Sequence, residues 1–244
     1  MAVGRLDNSV GFIIQARMES TRLPGKVLMP MPFITGKPIL GHIIDALKPL
    51  GGKIIVATSK RKVNEPIKEF CIANGVGYFL GDEDDVLSRF ISIQKENRFE
   101  YIFRFTADNP LVDVEKLMVF YNEFKSLGLE YAYSQGMPLG MNFELFSGKA
   151  LLSSETTVNS ESDREHVTPA IRRNESYKTA EICLDNSGHL RMTVDTAHDF
   201  ALLSMVFDYR DSKHLQGMFL VKAFFKEYPW LIGFNNHVAQ KKIN

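Results

Sequence analysis

Gly11-Phe12-Ile13-Ile14 runs without a break into Gln15-Ala16-Arg17-Met18-Glu19-Ser20-Thr21-Arg22-Leu23-Pro24-Gly25-Lys26, and this junction decides the fold. The apolar run reads as a strand buried on both faces, the kind found in parallel sheets covered by helices. The polar loop after it therefore leaves the carboxyl end of a strand, where open α/β sheets bind ligands. It gathers Arg17, Arg22 and Lys26 with two hydroxyls and a glycine. A triphosphate carries roughly four negative charges at neutral pH, and forked arginines with a mobile lysine suit it. The alternative is a solvated basic loop. A Walker loop is excluded, because it needs Gly at 20 and Ser or Thr at 27, where the chain has Ser20 and Val27. The G-x-G-x-x-G fingerprint is absent from the stretch as well.

Outward from this junction, apolar runs at 10–14, 53–58, 76–80 and 101–106 alternate with helical patterns at 38–48, 63–74, 84–97 and 114–127. That alternation predicts βαβ units and a parallel sheet. Four acidic residues at 82–85 suit the start of the third helix. Beyond 128 the pattern changes. Strands at 130–134 and 142–147, with Gly136, Pro138 and Gly140 between them, predict a β-hairpin excursion. A further strand pair is expected at 178–184 and 190–194, turning at Asp185-Asn186-Ser187-Gly188. Thr196, with Asp199 three positions on, reads as the cap of a helix. The expected fold is α/β, with a mixed, mainly parallel sheet sandwiched by helices. One domain over 1–244 is expected, the pattern changing between a first half at about 8–128 and a second at about 129–244.

Composition narrows the function classes. Of 244 residues, 45% are hydrophobic and 24% charged, with 29 Lys+Arg against 29 Asp+Glu, so no global charge draws the chain to nucleic acid or anionic lipid. No apolar run reaches the ~18 residues of a membrane span. The start, Met1-Ala2-Val3-Gly4-Arg5-Leu6-Asp7, lacks a basic head before an apolar stretch. Cys71 and Cys183 lie far apart in apolar-patterned segments and read as reduced, buried thiols. A cytoplasmic protein is expected.

A site that handles a triphosphate usually needs a hard cation as well, and Mg²⁺ takes one or two carboxylates plus phosphate oxygens and water. Asp108 follows the 101–106 strand and Asp195 follows the 190–194 run, so both could reach one ion; each could equally cap the segment after it.

The stretch 15–28 resembles the start of the sugar-activating cytidylyltransferases, above all those similar to spore-coat polysaccharide biosynthesis protein F. CMP-KDO and CMP-neuraminate synthetases are more distantly similar. The likeness continues through Gly81-Asp82-Glu83-Asp84-Asp85-Val86-Leu87-Ser88-Arg89-Phe90 and Arg104-Phe105-Thr106-Ala107-Asp108-Asn109-Pro110. It resumes at Asp163-Arg164-Glu165-His166-Val167-Thr168-Pro169 and Arg191-Met192-Thr193-Val194-Asp195-Thr196. It implies a nucleotide-diphospho-sugar transferase fold, CTP and a sugar or sugar acid as substrates, and Asp108 with Asp195 as Mg²⁺ ligands. It further implies a nucleotide-binding half at about 8–128, an acceptor and dimerisation half at about 129–244, and a homodimer with the 135–147 hairpin as the expected contact. Ala16, Arg17, Ser20, Arg22, Lys26, Thr58, Ser59, Asp84 and Arg89 become candidates for the nucleotide; Arg17, Lys26 and Asp108 are the catalytic set. Arg104, Glu144 and His166 are candidates for the acceptor, although a lone histidine is more often structural.

Two departures stand out: Glu19 places a carboxylate in the phosphate loop, and 29–34 is longer than the family's turn. The expected reaction passes CMP from CTP to a sugar acid, such as a nonulosonate or KDO-like acid, and releases pyrophosphate for surface polysaccharide synthesis. Open alternatives are transfer of another nucleotide to a sugar phosphate, a glycosyltransferase, or a non-catalytic nucleotide-binding module of a polysaccharide assembly system.

Overall fold

The computed structural model describes residues 4–238; the first three residues of the amino-terminal stretch lie outside it. In chain order the elements are β1 (Leu6–Gln15), β2 (Pro30–Met31), β3 (Lys37–Pro38), α1 (Ile39–Leu47), β4 (Gly51–Ser59), α2 (Glu65–Ala73) and β5 (Gly77–Gly81). There follow α3 (Val86–Asn97), β6 (Tyr101–Thr106), α4 (Val114–Leu127), β7 (Tyr131–Gln135), β8 (Glu144–Ser147) and α5 (Gly148–Ser154). The last are α6 (Glu161–His166), α7 (Pro169–Arg172), β9 (Thr179–Cys183), α8 (Ala197–Lys213) and α9 (Gly217–Glu227).

One sheet runs β5-β4-β1-β6-β8-β7-β9, and all its neighbours are parallel except those made by β8. β1 lies between β4 and β6, so the chain builds outward to one side of β1 and then crosses to the other. That reversal is a topological switch point, where the loops leaving adjacent strands diverge and open a crevice. Gln15 is in register with Ala57 on one side and Thr106 on the other, so the loops after β1, β4 and β6 emerge together.

The alternation of β1 divides the core. Phe12 and Ile14 pack with Phe103, Phe105 and the apolar faces of α1, α4, α8 and α9; Ile13 packs on the opposite face with Ile55, Ile102, Phe90 and Leu151. Helix caps follow their sequence signals. Asp85 and Asp113 accept the backbone N–H of Ser88 and Lys116 at 2.8 and 2.9 Å, and Thr196 with Asp199 forms the capping box that opens α8. Among the described residues no helix is long and apolar enough to cross a membrane.

The second half departs from its expected course. The hairpin is present as β7 and β8, but both strands join the main sheet, and β8 sits between β6 and β7. Its connection is enclosed by its own chain, with Met137, Met141 and Phe143 buried, so 135–147 offers little surface to a second subunit. The expected pairing of 178–184 with 190–194 is absent. β9 instead pairs parallel with β7, and the 190–194 run makes one bridge, Arg191 to Leu139. The reason is burial on every side: Leu190, Arg191, Met192, Thr193 and Val194 are all buried, so their alternation does not mark a half-exposed strand. Gly140 makes the close approach possible, since a Cβ there would lie 2.7 Å from the Met192 carbonyl oxygen. Cys71 is buried as expected, whereas Cys183 on the edge strand β9 is exposed. The long 29–34 segment resolves into the small β2–β3 ladder.

Candidate active site

The loop after β1 is tied down at both ends. The Ala16 N–H donates to Ala57 O on β4, and the Met18 N–H donates to the Asn64 side-chain oxygen at 2.8 Å. Gly25 closes the loop by donating to Met18 O at 2.8 Å, with φ of 73° that a β-carbon would disfavour. Ser20 turns its hydroxyl inward to accept Leu23 N–H at 3.4 Å. The result is the wall of a cleft of about 880 Å³, lined by Arg17, Ser20, Arg22, Lys26, Asp84, Asp108 and Asp195 among others.

The three loop cations, alike in sequence, part company here. Lys26 is buried, and its ammonium donates to Asp108 at 2.8 Å, to Asp195 at 3.0 Å and to Val194 O at 2.6 Å. Arg22 lies 3.1 Å from Asp195. Arg17 is exposed on the cleft wall and pairs with no carboxylate among the described residues. The carboxylates are brought together by the backbone, since the Val194 N–H donates to Asp108 O at 2.9 Å.

A second layer fixes Asp195. Buried Arg191 donates to Asp195 at 2.8 Å and forks onto Asp199, whose carboxylate also takes Asn235 at 2.8 Å. Burial opposes ionisation of Asp195, but Lys26, Arg22 and Arg191 outweigh it and hold its carboxyl below the usual range. Asp199 is lowered similarly, burial being offset chiefly by Arg191.

These shifts predict a two-stage loss of stability in acid. Burial holds His42, which bonds Met31 O and the Arg210 guanidinium, down to about 4. The unfolded chain therefore binds a proton that the native one refuses between about pH 6.5 and 4, and stability falls across that window as pH drops. The depressed carboxylates add stability above their unfolded value. They lose it as pH falls from ~4 toward the native values, which are about 2 for Asp163 and Asp185. Urea midpoints against pH should show both stages; a His42→Gln variant that keeps the upper one would refute its origin.

Mg²⁺, implied by the resemblance, can be tested against these groups. Two carboxylates and a backbone carbonyl already face one cationic nitrogen, a set of hard oxygens around a positive charge. Among the described residues no third acidic, histidine or cysteine ligand joins them. Two carboxylates, with phosphate oxygens and water, are what Mg²⁺ usually takes. The residues fit.

The expected base-side residues lie at different depths. Asp84 lines the cleft. Thr58, Ser59 and Arg89 are buried beneath it, as is Ala16. Arg89 donates to the carbonyls of Ala57 and Glu83 at 3.4 and 3.3 Å, and burial pulls its pKa down. Asn64 was not legible in the sequence. It bonds Met18 N–H, the Ser59 hydroxyl and the Glu83 carboxylate, and so ties the loop after β1 to the segment after β5. Glu19, the troubling carboxylate of the loop, pairs with Arg61 at 2.9 Å, which neutralises its charge.

A second cleft of about 340 Å³ abuts the first and shares Thr106 with it. Arg104 and Glu144 line it, paired at 2.9 Å. Glu144 also takes the hydroxyls of Tyr131 and Thr168, both at 2.6 Å. Burial opposes its ionisation, yet Arg104 and these hydroxyls keep it below the ordinary range. Glu144 is thus committed to the protein. His166, at the end of α6, lines neither cleft; Thr168, two residues on, reaches Glu144 instead. Arg164 pairs with Asp85 at 2.6 Å. Arg191 and Thr168 stood inside sequence motifs already singled out, and charge and position could have marked them; nothing marked Asn64.

Comparison with known proteins bears on this geometry. A family model described as "Cytidylyltransferase" matches residues 11–227. The spore coat polysaccharide biosynthesis protein SpsF of Bacillus subtilis is 32% identical over 82% of this chain and 87% of its own length. The 3-deoxy-manno-octulosonate cytidylyltransferase of Aeromonas salmonicida is 37% identical over a shorter stretch, 30% of this chain and 27% of its own length. A solved cytidylyltransferase from Leptospira borgpetersenii superposes with a TM-score of 0.84 at 27% identity, covering 96% of this chain and 99% of that one.

Proposed function

Because this chain belongs to the cytidylyltransferase family, and is therefore a nucleotidyltransferase, we propose that it transfers CMP from CTP to a sugar acid with release of pyrophosphate, for surface polysaccharide synthesis. The observation that carries this reading is the meeting of Asp108 and Asp195 on one cationic nitrogen in a cleft at the switch point, beside Arg17, which pairs with no carboxylate among the described residues. The Bacillus relative supports the polysaccharide setting, and the Aeromonas relative, named for a sugar acid, supports the acceptor class.

In this reading the triphosphate lies along the loop after β1, with Arg17, Arg22 and Lys26 on its oxygens. Ser20 and Gly25 shape the loop. Asp84 faces the base, and Thr58, Ser59, Arg89 and Ala16 hold the floor beneath it. Asp108 and Asp195 would hold Mg²⁺, which would screen charge on the α-phosphate and on the departing pyrophosphate. A hydroxyl of the acceptor, seated in the Arg104–Glu144 cleft, attacks the α-phosphorus in line as the bond to the β-phosphate breaks, and its proton passes to solvent. Lys26 and the arginines then carry the charge gathering on pyrophosphate. Positioning and fixed charge supply most of the acceleration. The assembly we assign is a homodimer, which sedimentation at micromolar concentration tests.

Melting the protein with CTP, UTP, GTP or ATP plus Mg²⁺ tests the nucleotide. At a hundredfold excess over Kd, the favoured nucleotide adds about 2.7 kcal/mol, a rise of roughly 5–10 °C for a domain of this size. CTP should give that rise, and pyrophosphate should appear when a sugar acid is added. Preference for another nucleotide, or release of a nucleoside diphosphate, would overturn the proposal.

A further inference from the structure

The acceptor cleft holds two arginines, and only one is uncommitted. Arg104 is neutralised by Glu144 at 2.9 Å, and the carboxylate oxygens of Glu144 are shared among Arg104, Tyr131 and Thr168. Arg172 ends α7 and lines the same cleft. Its guanidinium lies over the Tyr133 ring at 5.2 Å and the Tyr131 ring at 6.0 Å, and it pairs with no carboxylate among the described residues. The nearby Glu181 is occupied by the Tyr133 hydroxyl and the Gln135 amide. The adjacent Arg173 turns away to Asp163 at 2.7 Å.

An independent observation lies in the same cleft. The side-chain oxygen of Asn109 is shut off from solvent and accepts no hydrogen bond among the described residues, although its amide donates to the Thr106 hydroxyl at 2.8 Å. A buried acceptor left unpaired is destabilising, and a ligand hydroxyl that bonded it would recover that loss. The cleft therefore presents one uncompensated positive charge, one unfilled hydroxyl acceptor and two tyrosine faces.

Resting on the cytidylyltransferase reading above, we propose that Arg172, steadied on Tyr131 and Tyr133, is the specificity-determining residue that takes the carboxylate of a sugar-acid acceptor, while Asn109 accepts one of its hydroxyls. The charge balance selects a carboxylate over a phosphate monoester. Arg104 and Glu144 cancel, so a single guanidinium matches one negative charge and leaves a dianion half-compensated. The aromatic shelf holds the guanidinium plane, which favours bidentate capture.

The test is pyrophosphate release from CTP and Mg²⁺ over a panel of octulosonate, nonulosonate and uronate sugars, their neutral alcohol counterparts and the sugar phosphates. Carboxylate sugars should support release, and neutral and phosphorylated ones should not. For the active acid, Arg172→Gln should raise KM by roughly 10- to 100-fold with kcat nearly unchanged, since a hydrogen bond to a charged group is lost from substrate and transition state alike. Arg172→Lys should recover part of the loss. An unchanged KM in Arg172→Gln, activity confined to phosphates or neutral sugars, or no active sugar in a protein that CTP still stabilises would overturn the assignment. Loss of CTP stabilisation in the parent protein would instead strike the cytidylyltransferase reading.

Discussion

Asp108→Asn should lower pyrophosphate-releasing turnover by about 10²–10³, the usual cost of removing one fixed electrostatic group from a transition state, while the melting temperature stays within a few degrees of wild type. The substitution keeps the shape of the side chain and an oxygen for Lys26, which now lies 2.8 Å away. It removes only the charge. Asp108 follows β6 by one residue beyond Ala107, whose N–H is fixed to Gln15 O at 2.9 Å, so the backbone that presents the side chain is held by the sheet itself. Lys26 retains Asp195 as a partner at 3.0 Å, so no buried ammonium is orphaned. A loss of turnover without a loss of fold therefore reports on charge at the cation site. Turnover within tenfold of wild type, at saturating CTP and Mg²⁺, would remove Asp108 from the chemistry.

The groups that meet here were legible in the sequence to different degrees. β6 and α4 end where their patterns end, because local signals agree: an apolar run for the strand, and the Asp113 cap with Leu117, Phe120, Tyr121 and Phe124 on one face for the helix. The loop after β1 was legible because its charge stands against the buried strand before it. The division of labour among its cations was not. Lys26 meets partners 82 and 169 positions away, and no local pattern distinguishes it from Arg17. The 190–194 run failed for the opposite reason. Its alternation resembles a strand, but it serves to bury a clamp, and Arg191 reaches Asp195 and Asp199 from inside. Asn64 and Arg172 act through tertiary neighbours that one-dimensional spacing does not encode. Glu144 lines a cleft, but its environment was not legible, since Tyr131 and Thr168 claim the oxygens that sequence left available.

The sharpest consequence of the geometry concerns Lys26→Met. In the native protein one ammonium satisfies two carboxylates and a carbonyl while nine-tenths hidden from solvent. Removing it leaves Asp108 and Asp195 facing each other, and breaking a buried pair by deleting one partner costs 3–5 kcal/mol when burial is complete. Asp108 and Asp195 keep 26% and 19% side-chain exposure, and Arg22 and Arg191 still attend Asp195, so about 2–3 kcal/mol is expected. For a chain of this length that is roughly 5–10 °C in melting temperature. Turnover should fall by about 10² or more, because in the proposed mechanism the variant loses one of the cations that attend the phosphates. Response to divalent ions separates this account from simple loss of packing. If the ammonium stands where Mg²⁺ would sit, the variant's carboxylates have no internal competitor. Millimolar Mg²⁺ should then raise its melting temperature by more than it raises that of wild type, recovering much of the deficit. Asp108→Asn in the same background should abolish that gain. Equal responses of variant and wild type to Mg²⁺ would show that the two aspartates are a structural pair for Lys26 and that the catalytic ion binds elsewhere.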